Sequence, residues 1–278
     1  MESELRAGSA RAGLTEGKAQ GAMAPRLLPS FPVFLALAVL AGTAIYGALL
    51  RRERVPLSST LGAYALAVVA ALVGAKALSC LMDGPGMVLR LDTGYRYPGA
   101  VAAGLLAAPL VSRLLPRALG LARWSDLLVP GMAFALAILR IDCLLSGCCT
   151  GTVCTLPWAL RFARRSAAWY TQLGEGAIPF EAAWTLPVHP LQLYLLVLAL
   201  GLGLGSLWLL GRKTGDGQVF LLFLFLHETG KGLLESLRHP HVPELQWSSL
   251  ALGLGSGLVL AMMSFRQRRP ALARPVLP

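Results

Sequence analysis

G-Q-V-F-L-L-F-L-F-L-H-E-T-G-K-G-L-L-E-S-L-R-H-P, residues 217–240, begins as an apolar helix and ends as a run of charge. His227, Glu228, Lys231, Glu235 and Arg238 fill its second half. An ionised side chain at the centre of a bilayer costs roughly 2.5–3.5 kcal/mol even on the gentlest insertion scale, so it is kept only where it is paired, wetted or used. The same pattern recurs where Arg140 and Asp142 close another apolar stretch. Together they predict a polar site inside a membrane protein.

Composition points the same way. With 55% hydrophobic and 14% charged residues and a mean hydropathy of +0.62, a soluble fold would lack polar surface. Seven apolar stretches stand out, at about 31–50, 59–82, 99–115, 126–146, 188–211, 216–235 and 246–264. Each approaches the ~20 residues that carry a helix across the hydrocarbon core. The expected fold is all-α, a polytopic bundle of about seven transmembrane helices over 30–265.

The net charge of +11 does not require nucleic acid as a partner, because its distribution follows the membrane. Arg51, Arg52 and Arg54, then Arg113, Arg117 and Arg123, then Arg212 and Lys213, then Arg266, Arg268, Arg269 and Arg274 all fall on one side of a seven-helix path. The positive-inside rule puts that side in the cytoplasm, hence the N-terminus outside and the C-terminus inside. In the N-terminal tail Glu2, Glu4 and Glu16 offset most of Arg6, Arg11, Lys18 and Arg26. Residues 1–29 read as a disordered extension and 266–278 as a basic cytoplasmic tail. The 147–187 connection holds Trp158, Trp169, Tyr170 and Trp184 with Arg161, Arg164 and Arg165. It reads as a small periplasmic cap or as a loop anchored among lipid headgroups.

Of five cysteines, Cys143, Cys148, Cys149 and Cys154 cluster and Cys80 stands alone. The C-x4-C-C-x4-C spacing is not the paired C-x2-C of a zinc site. A structural disulfide or packed thiols, assistance to the site, and metal or redox chemistry all stay open. The four histidines form no helical H-x3-H pair, and there is no G-x-S-x-G elbow, Walker A loop or GxGxxG turn. Lys231, Glu235 and Arg238, spaced i, i+4, i+7, share one face if the helix continues, with net positive charge left for a phosphate. The alternative is an ion-pair network that only fixes helix packing.

These residues resemble the prolipoprotein diacylglyceryl transferase family, seven-helix enzymes of the bacterial inner membrane. L-R-I-D-C-L-L-S-G-C-C-T-G (139–151) is similar to the family's G-R-I-G-N-F-I-N-G-E-x-x-G, H-P-L-Q-L-Y (189–194) to its H-P-x-Q-L-Y-E, and 217–240 to its G-x3-FL-x2-Y-G-x2-R-x3-E-x2-R order. F-P-V-F (31–34) and Tyr46-Gly47 resemble its first helix. The resemblance implies transfer of diacylglycerol from phosphatidylglycerol to the lipobox cysteine in the signal peptide of a prolipoprotein, with no cofactor and no metal. It implies Arg140, Lys231 and Glu235 as catalytic groups. Arg238, His189, Gln192, Tyr194, Tyr46, Tyr97, Gly147 and Gly151 would bind substrate or shape the site. Cys143 and Cys148 stand where the family has Asn and Glu, Lys231 where it has a second arginine, and Pro98 where it has histidine; Leu195 and Thr229 also depart from it. A relative acting on another acceptor, and a non-catalytic lipid-binding or thiol-redox membrane partner, are the alternatives.

Overall fold

The computed structural model describes residues 22–23, 31–89 and 95–268. The N-terminal extension therefore lies outside the described residues except for Ala22–Met23 (β1), which pairs in parallel with Arg161–Phe162 (β2). Most of the basic tail, from 269 on, also lies outside them.

Among the described residues eight α-helices follow one another: α1 Phe31–Arg52, α2 Leu61–Asp83, α3 Tyr97–Leu114, α4 Leu121–Ser146, α5 Ala167–Gly174, α6 Leu191–Leu210, α7 Gln218–Leu234 and α8 Pro243–Arg268. Six of them, α1 to α4, α6 and α8, are long and apolar enough to cross a membrane. The seventh expected crossing is α7, which stops at 17 residues. Its charged half gives way to a 3-10 turn, Glu235–Leu237, before an extended Arg238. The protein is a multi-pass membrane protein of all-α architecture, and the apolar stretches read from sequence match these helices to within five residues.

Surface and core confirm the solvent. Leu106 is 83% exposed, and Leu40, Val73, Val197, Leu204 and Leu258 are also exposed, while Asp126, Gln192 and Glu228 are fully buried. A soluble protein does the reverse; in lipid the apolar face turns outward and polar groups gather between helices. Helix α4 is the hub, packing against α1, α6 and α7, while α2 pairs with α3 and α7 with α8. Close backbone contact supplies much of the adhesion, as expected where lipid competes with apolar side chains. A Cβ on Gly131 would lie 2.6 Å from the Gly42 carbonyl oxygen, so the crossing of α4 and α1 needs glycine at 131, and a Cβ on Gly42 would be tight at 3.2 Å from the Gly131 carbonyl oxygen.

At one end of α4 the buried Asp126 accepts hydrogen bonds from the Gly217 and Phe220 backbone N–H groups at 2.8 and 2.9 Å and from Lys213 Nζ at 2.7 Å. It thereby satisfies the first turn of α7, whose N–H groups have no intrahelical partner. At the other end, 147–187 folds as a compact cap. Ser166 caps α5 by accepting from the Trp169 backbone N–H, Trp169 donates from its indole to the Ala182 carbonyl at 2.8 Å, and Arg164 stacks on Phe180. Trp169 is buried inside this cap, whereas Trp158 and Tyr170 are exposed.

Candidate functional site

The site forms where the C-terminal ends of α4 and α7, the start of α3 and the loop after α4 converge. Helix α4 ends because Gly147 adopts φ +68, with its N–H turned back on the Cys143 and Leu144 carbonyls. A side chain there would strike the Phe162 ring. The chain then threads between two others. Gly151 N–H donates to the His189 carbonyl at 3.0 Å, Thr152 N–H to Leu237 at 2.8 Å, and His239 N–H to Thr150 at 3.1 Å. Gly151 is required by space, since a Cβ would sit 2.6 Å from the His189 Cβ and 2.9 Å from the Leu237 carbonyl oxygen. These bonds deliver Arg238 to the thiols.

Two charge groups result. In the first, Tyr97 donates its hydroxyl to Glu228 Oε1 at 2.5 Å, and His227 Nδ1 lies 2.7 Å from the same oxygen. Lys231 Nζ is 3.9 Å from Glu228 Oε2, donates to Ser249 Oγ on α8 at 2.8 Å and sits 4.4 Å from the Tyr97 ring centroid. In the second, Arg238 Nη1 bonds both Glu235 oxygens at 3.1 and 3.2 Å, and Nη2 donates to Cys149 Sγ at 3.5 Å. The shared helix face expected for Lys231, Glu235 and Arg238 is not continuous, because α7 ends before Glu235. Lys231 takes Glu228 as its nearest carboxylate, and Glu235 serves Arg238.

Arg140, half-buried on the last turns of α4, has no ion pair or hydrogen bond to any described residue. It lies within electrostatic reach of Tyr97, Cys143, Cys149 and Lys231. Gln192 on α6 is fully buried; its Nε2 donates to the Cys148 carbonyl at 2.6 Å, and its Oε1 has no partner among described residues. His189 Nδ1 is 3.3 Å from the Tyr194 hydroxyl, which accepts from the Trp158 indole at 2.8 Å.

Tyr46 is placed elsewhere. It hydrogen-bonds Trp124 at 2.8 Å and stacks on Tyr64. Trp124 precedes Arg140 by 16 residues on α4, or about 24 Å at the helical rise. It packs the bundle and does not join the charges.

The Cys143, Cys148 and Cys149 sulphurs lie within 4.8 Å of one another, while Cys154 and Cys80 stand apart from this group. The Cys143 and Cys148 thiols, and then the Arg238 and Arg140 charges, hold the Cys149 thiol well below its ordinary pKa against the cost of burial. Ser249 carries no signal in the sequence as a site residue, whereas Glu228 and Cys149 belong to the charged run and the thiol cluster and gain defined partners only in the structure. The i, i+3 spacing of Glu228 and Lys231 was a usable signal. The φ of +55 at Cys149, which turns it back toward its neighbours, leaves no mark in sequence.

The assembled arrangement gathers three cations, Arg140, Lys231 and Arg238, of which Arg140 has no carboxylate partner among the described residues, and it suits charge-assisted hydrogen bonds to an anion. Against known proteins, the family model described as prolipoprotein diacylglyceryl transferase matches residues 25–266. The chain belongs to the prolipoprotein diacylglyceryl transferase family. The family match runs from ahead of α1 almost to the end of α8 and takes in every residue of both charge groups. Among relatives, the phosphatidylglycerol–prolipoprotein diacylglyceryl transferase 2 of Clostridium perfringens is 26% identical over 181 residues, 63% of this chain and 64% of that protein. The Clostridium tetani transferase is 26% identical over 158 residues, 57% of each chain. That of Streptomyces griseus is 33% identical over 141 residues, 50% of this chain and 38% of the relative. The aligned part of this member of the transferase family thus spans less than two thirds of each of these proteins.

Proposed function

We propose that the protein transfers diacylglycerol from phosphatidylglycerol to the cysteine thiol of a prolipoprotein, at the outer face of the bacterial inner membrane. The single observation that carries this reading is Arg140, a half-buried guanidinium with no carboxylate partner among the described residues, beside two further cations. Its fork suits two phosphate oxygens at once.

In the reaction the substrate sulphur attacks the diacylglycerol carbon that carries the phosphate. The C–S bond forms as the C–O bond breaks, and glycerol phosphate leaves with the electron pair and takes up the thiol proton. The protein's task is then positioning and stabilisation of the departing charge. Arg140 and Lys231 meet the phosphate, Glu235 holds Arg238 in place, and Gly147 and Gly151 shape the loop on which the substrate peptide's lipobox rests. Tyr97 orients Lys231, while Gln192, His189 and Tyr194 line the route from α6.

The orientation follows the charge asymmetry: N-terminus periplasmic, C-terminus cytoplasmic, with 147–187 as the periplasmic cap. The test is complementation of a strain depleted of its own diacylglyceryl transferase, with lipidation of a reporter precursor read by gel shift. Wild type is expected to lipidate, and Arg140→Ala at equal expression to lose about 100-fold or more in rate. A well-inserted wild type that lipidates nothing overturns the reading.

A further inference from the structure

We infer that Cys143, Cys148 and Cys149 form a three-thiolate site for a soft univalent metal cation, Cu(I). Thiolate–metal bonds near 2.3 Å place the three sulphurs of a trigonal site about 4 Å apart. The three sulphurs here already lie within 4.8 Å of one another, so closure on an ion needs only small side-chain rotations.

Three features select the ion. Soft thiolates favour Cu(I) and zinc among common ions. Zinc in structural sites wants four ligands, and among the described residues no fourth His, Cys, Asp or Glu atom joins this group. Charge separates the two further. Three thiolates around a univalent ion keep a net negative charge, which Arg238, 3.5 Å from Cys149 Sγ, and Arg140 are placed to offset. A divalent ion would leave less negative charge for those cations to meet.

Access and rigidity fit a built site. A cavity of about 130 Å³ lined by Cys148, Cys149, Arg238 and His239 gives an entry path. The Cys149 backbone is held at φ +55, a conformation that a non-glycine residue keeps only where its surroundings impose it. Gln192 fixes the Cys148 carbonyl.

Binding itself does not depend on the transferase reading, although an ion here would hold the loop carrying Arg238 and should slow transfer if that reading is right. The experiment titrates purified full-length protein in detergent with Cu(I), anaerobically and under mild reductant, against a chromogenic Cu(I) chelator. One copper per chain is expected, with X-ray absorption reporting three sulphur neighbours. Cys143→Ser, Cys148→Ser and Cys149→Ser should each weaken binding by at least about tenfold, and Cys80→Ser should not. Any one of the three that elutes as a monodisperse species suffices, so a single misfolded variant does not decide the matter. Three results overturn the proposal: no stoichiometric copper on wild type, retention unchanged in the serine variants, or zinc held in preference to Cu(I). A disulfide between two of these cysteines, found by alkylation and mass spectrometry in protein taken directly from membranes, overturns it as well. Loss of lipidation without loss of copper binding would bear on the transferase reading alone.

Discussion

Cys149 receives a hydrogen bond from a guanidinium and has two thiols beside it, and its reactivity should reveal these neighbours. With the Cys149 pKa held low, the thiolate that alkylating reagents need is present at lower pH than for an ordinary thiol near 8.5. Iodoacetamide labelling of Cys149 is therefore expected to reach half its maximal rate below that pH. In Arg238→Gln, which removes a positive charge favouring the thiolate, the midpoint should move up. A midpoint unmoved by the substitution would detach Arg238 from the thiol. The residue scale is also where sequence was least legible. Arg140, Lys231 and Arg238 stood out because charge inside an apolar run is costly, but their partners did not. Lys231 stood next to Glu235 in the expected helical register, yet its carboxylate at 3.9 Å is Glu228, and its hydrogen bond goes to Ser249 on another helix. A contact between α7 and α8 has no local signature in either segment.

Helix α7 is held at both ends by sequence belonging to α4 or to the loop that follows it. At the first end Asp126 satisfies two backbone donors and an ammonium. Asp126→Ala would leave those donors and the Lys213 charge without their acceptor, at a cost of roughly 3 kcal/mol. A fall in unfolding temperature in detergent, with α7 exchanging amide hydrogen faster than α1, is the expected result. At the second end Gly151 threads between His189 and Leu237, where a methyl group must push two backbones apart. Gly151→Ala should cost about 1–3 kcal/mol and lower transfer rate more than Gly174→Ala, which has open space around it. Equal effects of the two substitutions would remove the steric account. Element positions were legible because apolar runs of ~20 residues have few other uses. The early stop of α7 was not, since Glu235, Ser236 and Leu237 tolerate a helix well, and tertiary bonds from the Thr152 and His239 N–H groups pull the chain out of it.

For the whole molecule the charge asymmetry makes a direct prediction. A C-terminal fusion to a fluorescent protein that matures only in the cytoplasm should glow, and a C-terminal alkaline phosphatase, active only outside, should not. The reverse pattern would invert the orientation and put the site on the wrong face for an exported substrate. The fold class was legible because it depends on totals, such as hydropathy and run length. The relation between the bundle's two ends was not, for it depends on one helix measuring the distance between them. Asp126 and Arg140 are 14 residues apart on α4, or about 21 Å along its axis. The first anchors the start of α7 and the second stands among the charges at its end, so α7 is matched to that stretch of α4. The cations therefore cannot ride up or down with fluctuations in bilayer thickness. If the proposed transfer is right, a phospholipid entering sideways has to bring its phosphate to that level, and a thinner or thicker membrane will present headgroups above or below it. Host lipid chain length then becomes a control on turnover that no substitution in the site would reveal.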